Sequence, residues 1–186
     1  MSGGHGAGGE SGPRPFSFGA GGLRLAGKAW GDPDAPPVVM LHGAGQTCHA
    51  WGAAALAADG WSAVAIDRRG HGDSDWCRDA AYSLEAFAGD VVALTDSFSE
   101  PPVMVGASVG GLAALVAQGS ASRQLFRALV LVDITPKLEA EGVQRVVGFM
   151  AAHPEGFGSL EEASAALARY LPNRRISSWN ASRAAP

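Results

Sequence analysis

Short, uninterrupted apolar runs, each closed by a loop and followed by a stretch of helical character, constrain this 186-residue chain most. Val38-Val39-Met40-Leu41, Trp61 to Ile66, Val103-Met104-Val105 and Ala128 to Val132 are four such runs. They lack polar alternation, as strands covered on both faces do, and therefore read as parallel strands of a central sheet. Between them, Trp51 to Ala58 is alanine-rich and is stopped by Gly60. Leu84 to Phe98 sets Leu84, Phe87, Ala88, Val91, Val92 and Leu94 at helical spacing, with Ser83 ahead of it as N-cap. Leu112 to Gln118 is a small-residue helix. This alternation predicts an α/β fold: a mostly parallel sheet, helices on both faces, right-handed crossovers.

Pro15 to Trp30, which contains Gly19, Gly21 and Gly22, predicts a hairpin of two short strands ahead of that sheet. Beyond Pro136 no further strand is legible. Val143 to Met150 and Leu160 to Tyr170 predict two successive helices, the second opened by Ser159-Leu160-Glu161-Glu162 at capping-box spacing. The expected organisation is a flexible tail over 1–14, a core over 15–136, the start of a helical cap over 137–175 and an irregular tail over 176–186.

Eighteen acidic residues against fourteen basic ones give a formal charge of −4, which offers no basic surface for nucleic acid. The adjacent arginines Arg68-Arg69 and Arg174-Arg175 read as part of a scattered surface charge. Cys48 and Cys77 stand far apart outside any C-x-x-C pattern and read as reduced thiols. With no apolar leader and no run of about 18 apolar residues, the reading is a cytoplasmic protein with no membrane partner.

Two glycine-rich loops carry the chemistry. Gly106-Ala107-Ser108-Val109-Gly110 lies between an apolar strand and a small-residue helix. A sharp strand-to-helix turn strains the serine backbone and lifts its hydroxyl above the carboxyl edge of the sheet, provided its neighbours are small. The helix N-terminus then offers N–H groups to an oxyanion. His42-Gly43-Ala44-Gly45 ends an earlier strand. Its Gly43–Ala44 segment supplies the other side of such an oxyanion hole, with the Ala44 amide paired with that of Val109.

Leu41-His42-Gly43-Ala44-Gly45, Asp67-Arg68-Arg69-Gly70-His71-Gly72-Asp73-Ser74 and Gly106-Ala107-Ser108-Val109-Gly110-Gly111 together resemble the α/β-hydrolase fold family. The resemblance is to its compact, capped, single-domain branch and covers about Phe16 to Leu171. It implies a serine hydrolase of carboxylesterase type. Ser108 would attack an acyl carbonyl, the amides of Ala44 and Val109 would hold the oxyanion, and water would release the acid. Relatives of this kind hydrolyse esters, thioesters, lactones or C–C bonds, and some are cofactor-free haloperoxidase-like enzymes. Serine at the nucleophile position argues against dehalogenase or epoxide-hydrolase chemistry, whose relatives place an aspartate there. The implied partner is a small acyl substrate, and no metal or nucleotide cofactor is implied.

The family's catalytic order is Ser, then Asp or Glu, then His, and here no histidine follows His153. Asp133, at the end of the strand after the nucleophile helix, is the candidate substitute acid. Among His5, His42, His49, His71 and His153, His42 is best placed by position to act as a base. The alternatives to a working hydrolase are an inactive hydrolase-fold fragment, a binding protein, or one half of a split hydrolase. Without further strands, Ala128 to Val132 becomes a sheet edge with no Lys or Pro, open to self-association. The change of texture at Ile176-Ser177-Ser178-Trp179-Asn180 is read as that of a truncated or frameshifted chain.

Overall fold

The computed structural model describes residues 12–134 and 139–170. The tail segments expected at the two ends lie almost wholly outside these residues. The predicted hairpin forms from β1 (Arg14–Ala20) and β2 (Leu23–Trp30), which pair antiparallel around Gly21 and Gly22 at φ +56° and +80°. Three of the four apolar runs become β3 (Pro37–Leu41), β4 (Ser62–Ile66) and β5 (Val103–Ala107), and the last becomes β6 (Ala128–Val132). The sheet order is β1-β2-β4-β3-β5-β6, parallel from β4 to β6 and antiparallel on either side of β2.

Every residue of β3 and β4 is buried, which is why neither segment alternates in sequence. Their side chains point to opposite faces in turn. Val39, Leu41, Val64 and Ile66 join Met104 beneath α2 (Leu84–Thr95) and α3 (Val109–Ser120). Val38, Met40, Ala63 and Ala65 meet Cys48 and α1 (Ala53–Ala58) on the other face. The fully buried side chains Leu25, Ile66, Leu94, Met104 and Leu125 anchor this core; removing each such side chain from water contributes about 1.5–3 kcal/mol.

Two boundaries differ from the sequence reading. The first helix begins at Ala53, because Cys48–Ala50 forms a separate 3₁₀ turn capped by Thr47, with Gly52 between the two. The nucleophile-turn helix starts at Val109, immediately after Ser108. Ser83 caps α2 as predicted, its hydroxyl accepting from Ala86 N–H at 3.3 Å.

β6 is an edge strand. Leu129 and Leu131 are half-buried on the α3 side, whereas Val130 is 46% and Val132 38% exposed. Among the described residues no strand pairs with its outer edge.

The chain divides into two compact units, Met1–Pro136 and Lys137–Pro186. Taken by itself, the second contains α4 (Ala140–Ala151) and α5 (Leu160–Tyr170). Phe149 stacks on Tyr170 at 4.3 Å between ring centres, and Ser159 accepts from Glu162 N–H at 3.1 Å. Glu162 reaches back to Gly158 N–H, one residue beyond the Ser159 N–H of a reciprocal capping box. Among the described residues no helix is long and apolar enough to cross a membrane.

Candidate active site at the carboxyl edge of the sheet

The turn after β5 is possible only with glycine around it. Ser108 sits at φ +48°, ψ −121°, a backbone region that side chains rarely enter. A Cβ on Gly106 would lie 2.5 Å from Gly111 Cα, and one on Gly110 would lie 2.6 Å from Leu41 O. The turn thus presses α3 against both its own strand and β3. Ser108 N–H donates to Val132 O at 3.0 Å, tying the turn to β6. The Ser108 hydroxyl makes no capping bond, although it stands at the N-terminus of a 12-residue helix. It is half-buried.

Gly43 borders this serine from the end of β3: a Cβ there would lie 3.4 Å from Ser108 Cβ. Its N–H donates to Gln46 Oε1 at 3.0 Å, so Gly43 offers space beside the serine and no free donor. Its carbonyl accepts from His42 Nδ1 at 2.7 Å and from Arg68 Nη2 at 3.3 Å. Among the described residues nothing accepts from Ala44 N–H. The first loop and the serine turn are therefore neighbours, as the sequence reading required.

His42 is not available as a base. Arg68 N–H, an obligate donor, bonds Nε2 at 3.1 Å, so the ring proton sits on Nδ1 and goes to Gly43 O. Burial pushes the ring's pKa down from 6.5 to about 4; the Gly43 bond opposes this, and the neighbouring Arg68 and His71 add to it. An unfolded chain takes up this proton near pH 6.5, the folded chain only near pH 4. The ring's contribution to stability is therefore complete above pH 6.5 and is lost as the pH falls from 6.5 to 4, by about 3 kcal/mol. Urea unfolding of wild type and His42→Gln at several pH values checks this. The wild type should show the steeper loss, and parallel pH profiles would rule it out.

The other histidines lie elsewhere. His71 Nδ1 donates to Arg69 O at 3.1 Å, Nε2 lies 3.5 Å from Arg68 Nη2, and burial lowers its pKa. His49 is exposed, with Nε2 3.0 Å from Lys28 Nζ. His153 packs against Phe157 within the second unit, and His5 lies outside the described residues. Asp133 follows β6 at φ +53°, next to the serine turn through the pairing of Ala107 with Val132. Among the described residues no histidine bonds either Ser108 or Asp133.

The segment from Asp67 to Ser74 is a structural clasp. Asp67 accepts from Cys48 N–H at 2.6 Å and Asp73 N–H at 3.1 Å. Ser74 donates to Asp67 O at 2.6 Å and accepts from Ala26 N–H at 2.8 Å, joining β2 to β4. Burial and the Asp67 carboxylate push the Cys48 thiol up to about 11, so it is an inert core thiol. Both cysteines are free.

Arg68 and Arg69 are not part of a scattered surface charge, contrary to the expectation from sequence. They are 5% and 6% exposed. Arg69 forms a two-bond ion pair with Asp90 of α2 at 2.7 and 2.6 Å and donates to Ala81 O. The available signal was Asp90 itself, three residues after Phe87 and four before Leu94, on the apolar stripe of α2. Arg174-Arg175 lies outside the described residues.

The pattern of the alpha/beta hydrolase family matches residues 38–185, across both glycine-rich loops and the clasp. The chain belongs to that family. This alpha/beta hydrolase is 38% identical over 108 residues to Esterase Rv0045c of Mycobacterium tuberculosis, an alignment covering 58% of this chain and 35% of that protein. It is 28% identical over 137 residues to Protein phosphatase methylesterase 1 of Bos taurus, covering 70% and 36%. The chain thus spans a little over a third of the length of these relatives. Among solved structures, the thioesterase domain from the curacin biosynthetic pathway superposes with a TM-score of 0.66 at 25% identity, covering 87% of this chain and 63% of that one. An alpha/beta hydrolase from Novosphingobium aromaticivorans gives 0.63 at 30%, covering 73% and 49%.

Proposed function

We propose that Ser108 is the nucleophile of a carboxylesterase-like reaction, with the amides of Ala44 and Val109 as the oxyanion hole. The observation that carries this reading is the serine's backbone at φ +48° on a strand-to-helix turn, its hydroxyl uncapped and Gly43 alongside. A serine held this way has no evident structural purpose; a hydroxyl-capped helix would tolerate ordinary geometry. Ser108 Oγ gives its proton to a base outside the described residues and attacks the acyl carbonyl; two main-chain N–H groups receive the charge on the carbonyl oxygen, and its collapse expels the alcohol, which takes up that proton, leaving an acyl-serine ester. Each such donor lowers the barrier by about 3 kcal/mol. Water then hydrolyses the acyl-serine ester and releases the acid. The esterase and methylesterase among the relatives point the same way.

The first test is labelling of the folded 186-residue chain with a fluorophosphonate. Rapid labelling that disappears in Ser108→Ala is the expected result. A folded wild type that stays unlabelled would reject activated Ser108 in this chain.

A second reading rests on the histidines. Among the described residues no imidazole reaches Ser108, so the base comes from outside them, or this chain is one half of a split hydrolase. In the latter case the open edge of β6 is the surface where a strand of another polypeptide pairs. Labelling that appears only when a second polypeptide co-purifies favours it.

A further inference from the structure

Arg68 carries a charge that is buried and sparsely hydrogen-bonded. The residue is 5% exposed, and among the described residues neither Nε nor Nη1 has a hydrogen-bond partner. Nη2 donates to Gly43 O at 3.3 Å and lies 3.5 Å from His71 Nε2, while the guanidinium rests over the Phe87 ring at 4.8 Å. The buried carboxylate of Asp90 gives both its bonds to Arg69 and acts on Arg68 only through its charge, which opposes the cost of burial. Burial lowers the Arg68 pKa to about 10, which still leaves the group charged at neutral pH. A cation in this setting keeps a desolvation penalty that its few contacts do not offset. Packing alone would be served better by an apolar side chain.

The acceptor that Arg68 reaches points to another purpose. Gly43 O takes donors from two directions, His42 Nδ1 and Arg68 Nη2. In a trans peptide the carbonyl and the following N–H point to opposite sides. Holding Gly43 O from the interior therefore turns Ala44 N–H outward, where among the described residues nothing accepts from it. Arg68 acts on the same peptide a second time, because its main-chain N–H fixes His42 in the tautomer that donates to Gly43 O. Donors on a carbonyl polarise the whole amide and strengthen the N–H at its far end.

We infer that Arg68 is a positioning residue: directly, and through His42, it locks and polarises the Gly43–Ala44 peptide so that Ala44 N–H receives a developing oxyanion. This inference deepens the hydrolase reading and rests on it for the identity of that oxyanion. Arg68 touches neither substrate nor nucleophile in this role. It acts through a peptide group that its Nη2 restrains directly and its main-chain N–H restrains by way of His42.

Arg68→Met separates this role from a structural one, since it keeps an unbranched stem and removes the charge. A structural role predicts that stability and reactivity fall together. A positioning role predicts a thermal midpoint unchanged or raised, with fluorophosphonate labelling of Ser108 slowed roughly tenfold. Arg68→Lys should recover part of that rate by restoring the charge without the fork. In a nitrogen–proton correlation spectrum, the Ala44 amide proton should move upfield in Arg68→Met while the His42 ring keeps its Nδ1 proton. An Ala44 resonance that does not move overturns the inference, whatever the midpoint does. If the wild type fails to label, the hydrolase reading falls instead, and the Ala44 resonance alone decides the role of Arg68.

Discussion

Asp90→Ala should lower the unfolding free energy by about 3–5 kcal/mol, because it strands the buried guanidinium of Arg69. In the folded chain Arg69 gives Asp90 two bonds and has Ala81 O as its other partner, with both ion-pair side chains under a tenth exposed. The pair joins the clasp after β4 to the middle of α2, so the loss reaches two elements at once. Removing both charges should cost far less. Arg69→Met with Asp90→Leu replaces the pair by apolar volume and should recover most of the loss. Urea unfolding of both single variants and the double variant measures the coupling. A single-variant loss below about 1 kcal/mol, the range of exposed ion pairs, would contradict the buried geometry.

Gly110→Ala should cost about 3 kcal/mol and displace the serine turn. Its Cβ would stand 2.6 Å from Leu41 O and 2.8 Å from His42 O, both main-chain atoms at the end of β3. Neither atom can yield without shifting the loop that carries Gly43 and Ala44, so labelling of Ser108 should suffer along with stability. Gly119→Ala on the same helix is the internal comparison. Nothing lies within 4 Å of its added carbon, and the helix should gain up to about 1 kcal/mol. Calorimetry of the two variants decides the matter: similar midpoints would mean that α3 does not press on β3.

The parts of this molecule that sequence made legible are those in which one local cause dominates. β3 and β4 are buried on both faces, so their apolar runs had no competing reading. The serine turn was legible because strand, glycines and small-residue helix occur consecutively, and each is needed by the same close approach. The opening of the first helix was overextended by two residues, since alanine content near Trp51 said helix while Trp51 closes a preceding 3₁₀ turn and Gly52 separates it from the short helix. The two arginines were misread for a different reason. Their burial depends on α2 presenting Asp90 and Phe87 to them, a relation between segments some twenty residues apart that charge counting along the chain does not register. The tautomer of His42 was equally out of reach. It follows from a main-chain N–H 26 residues away.

The strand order also bears on how the chain assembles as it leaves the ribosome. β1 and β2 can close on each other at once, but their place in the sheet is beside β4, so the hairpin waits. When β4 emerges, it joins the hairpin to β3 and completes a four-stranded nucleus. β5 then finds the free side of β3, and β6 finds the free side of β5. Parallel pairings close long loops and are slow to form from a fully unfolded chain. In this order, every strand after β4 meets an edge already on display, and synthesis from the N-terminus lays the sheet down without an earlier pair having to open.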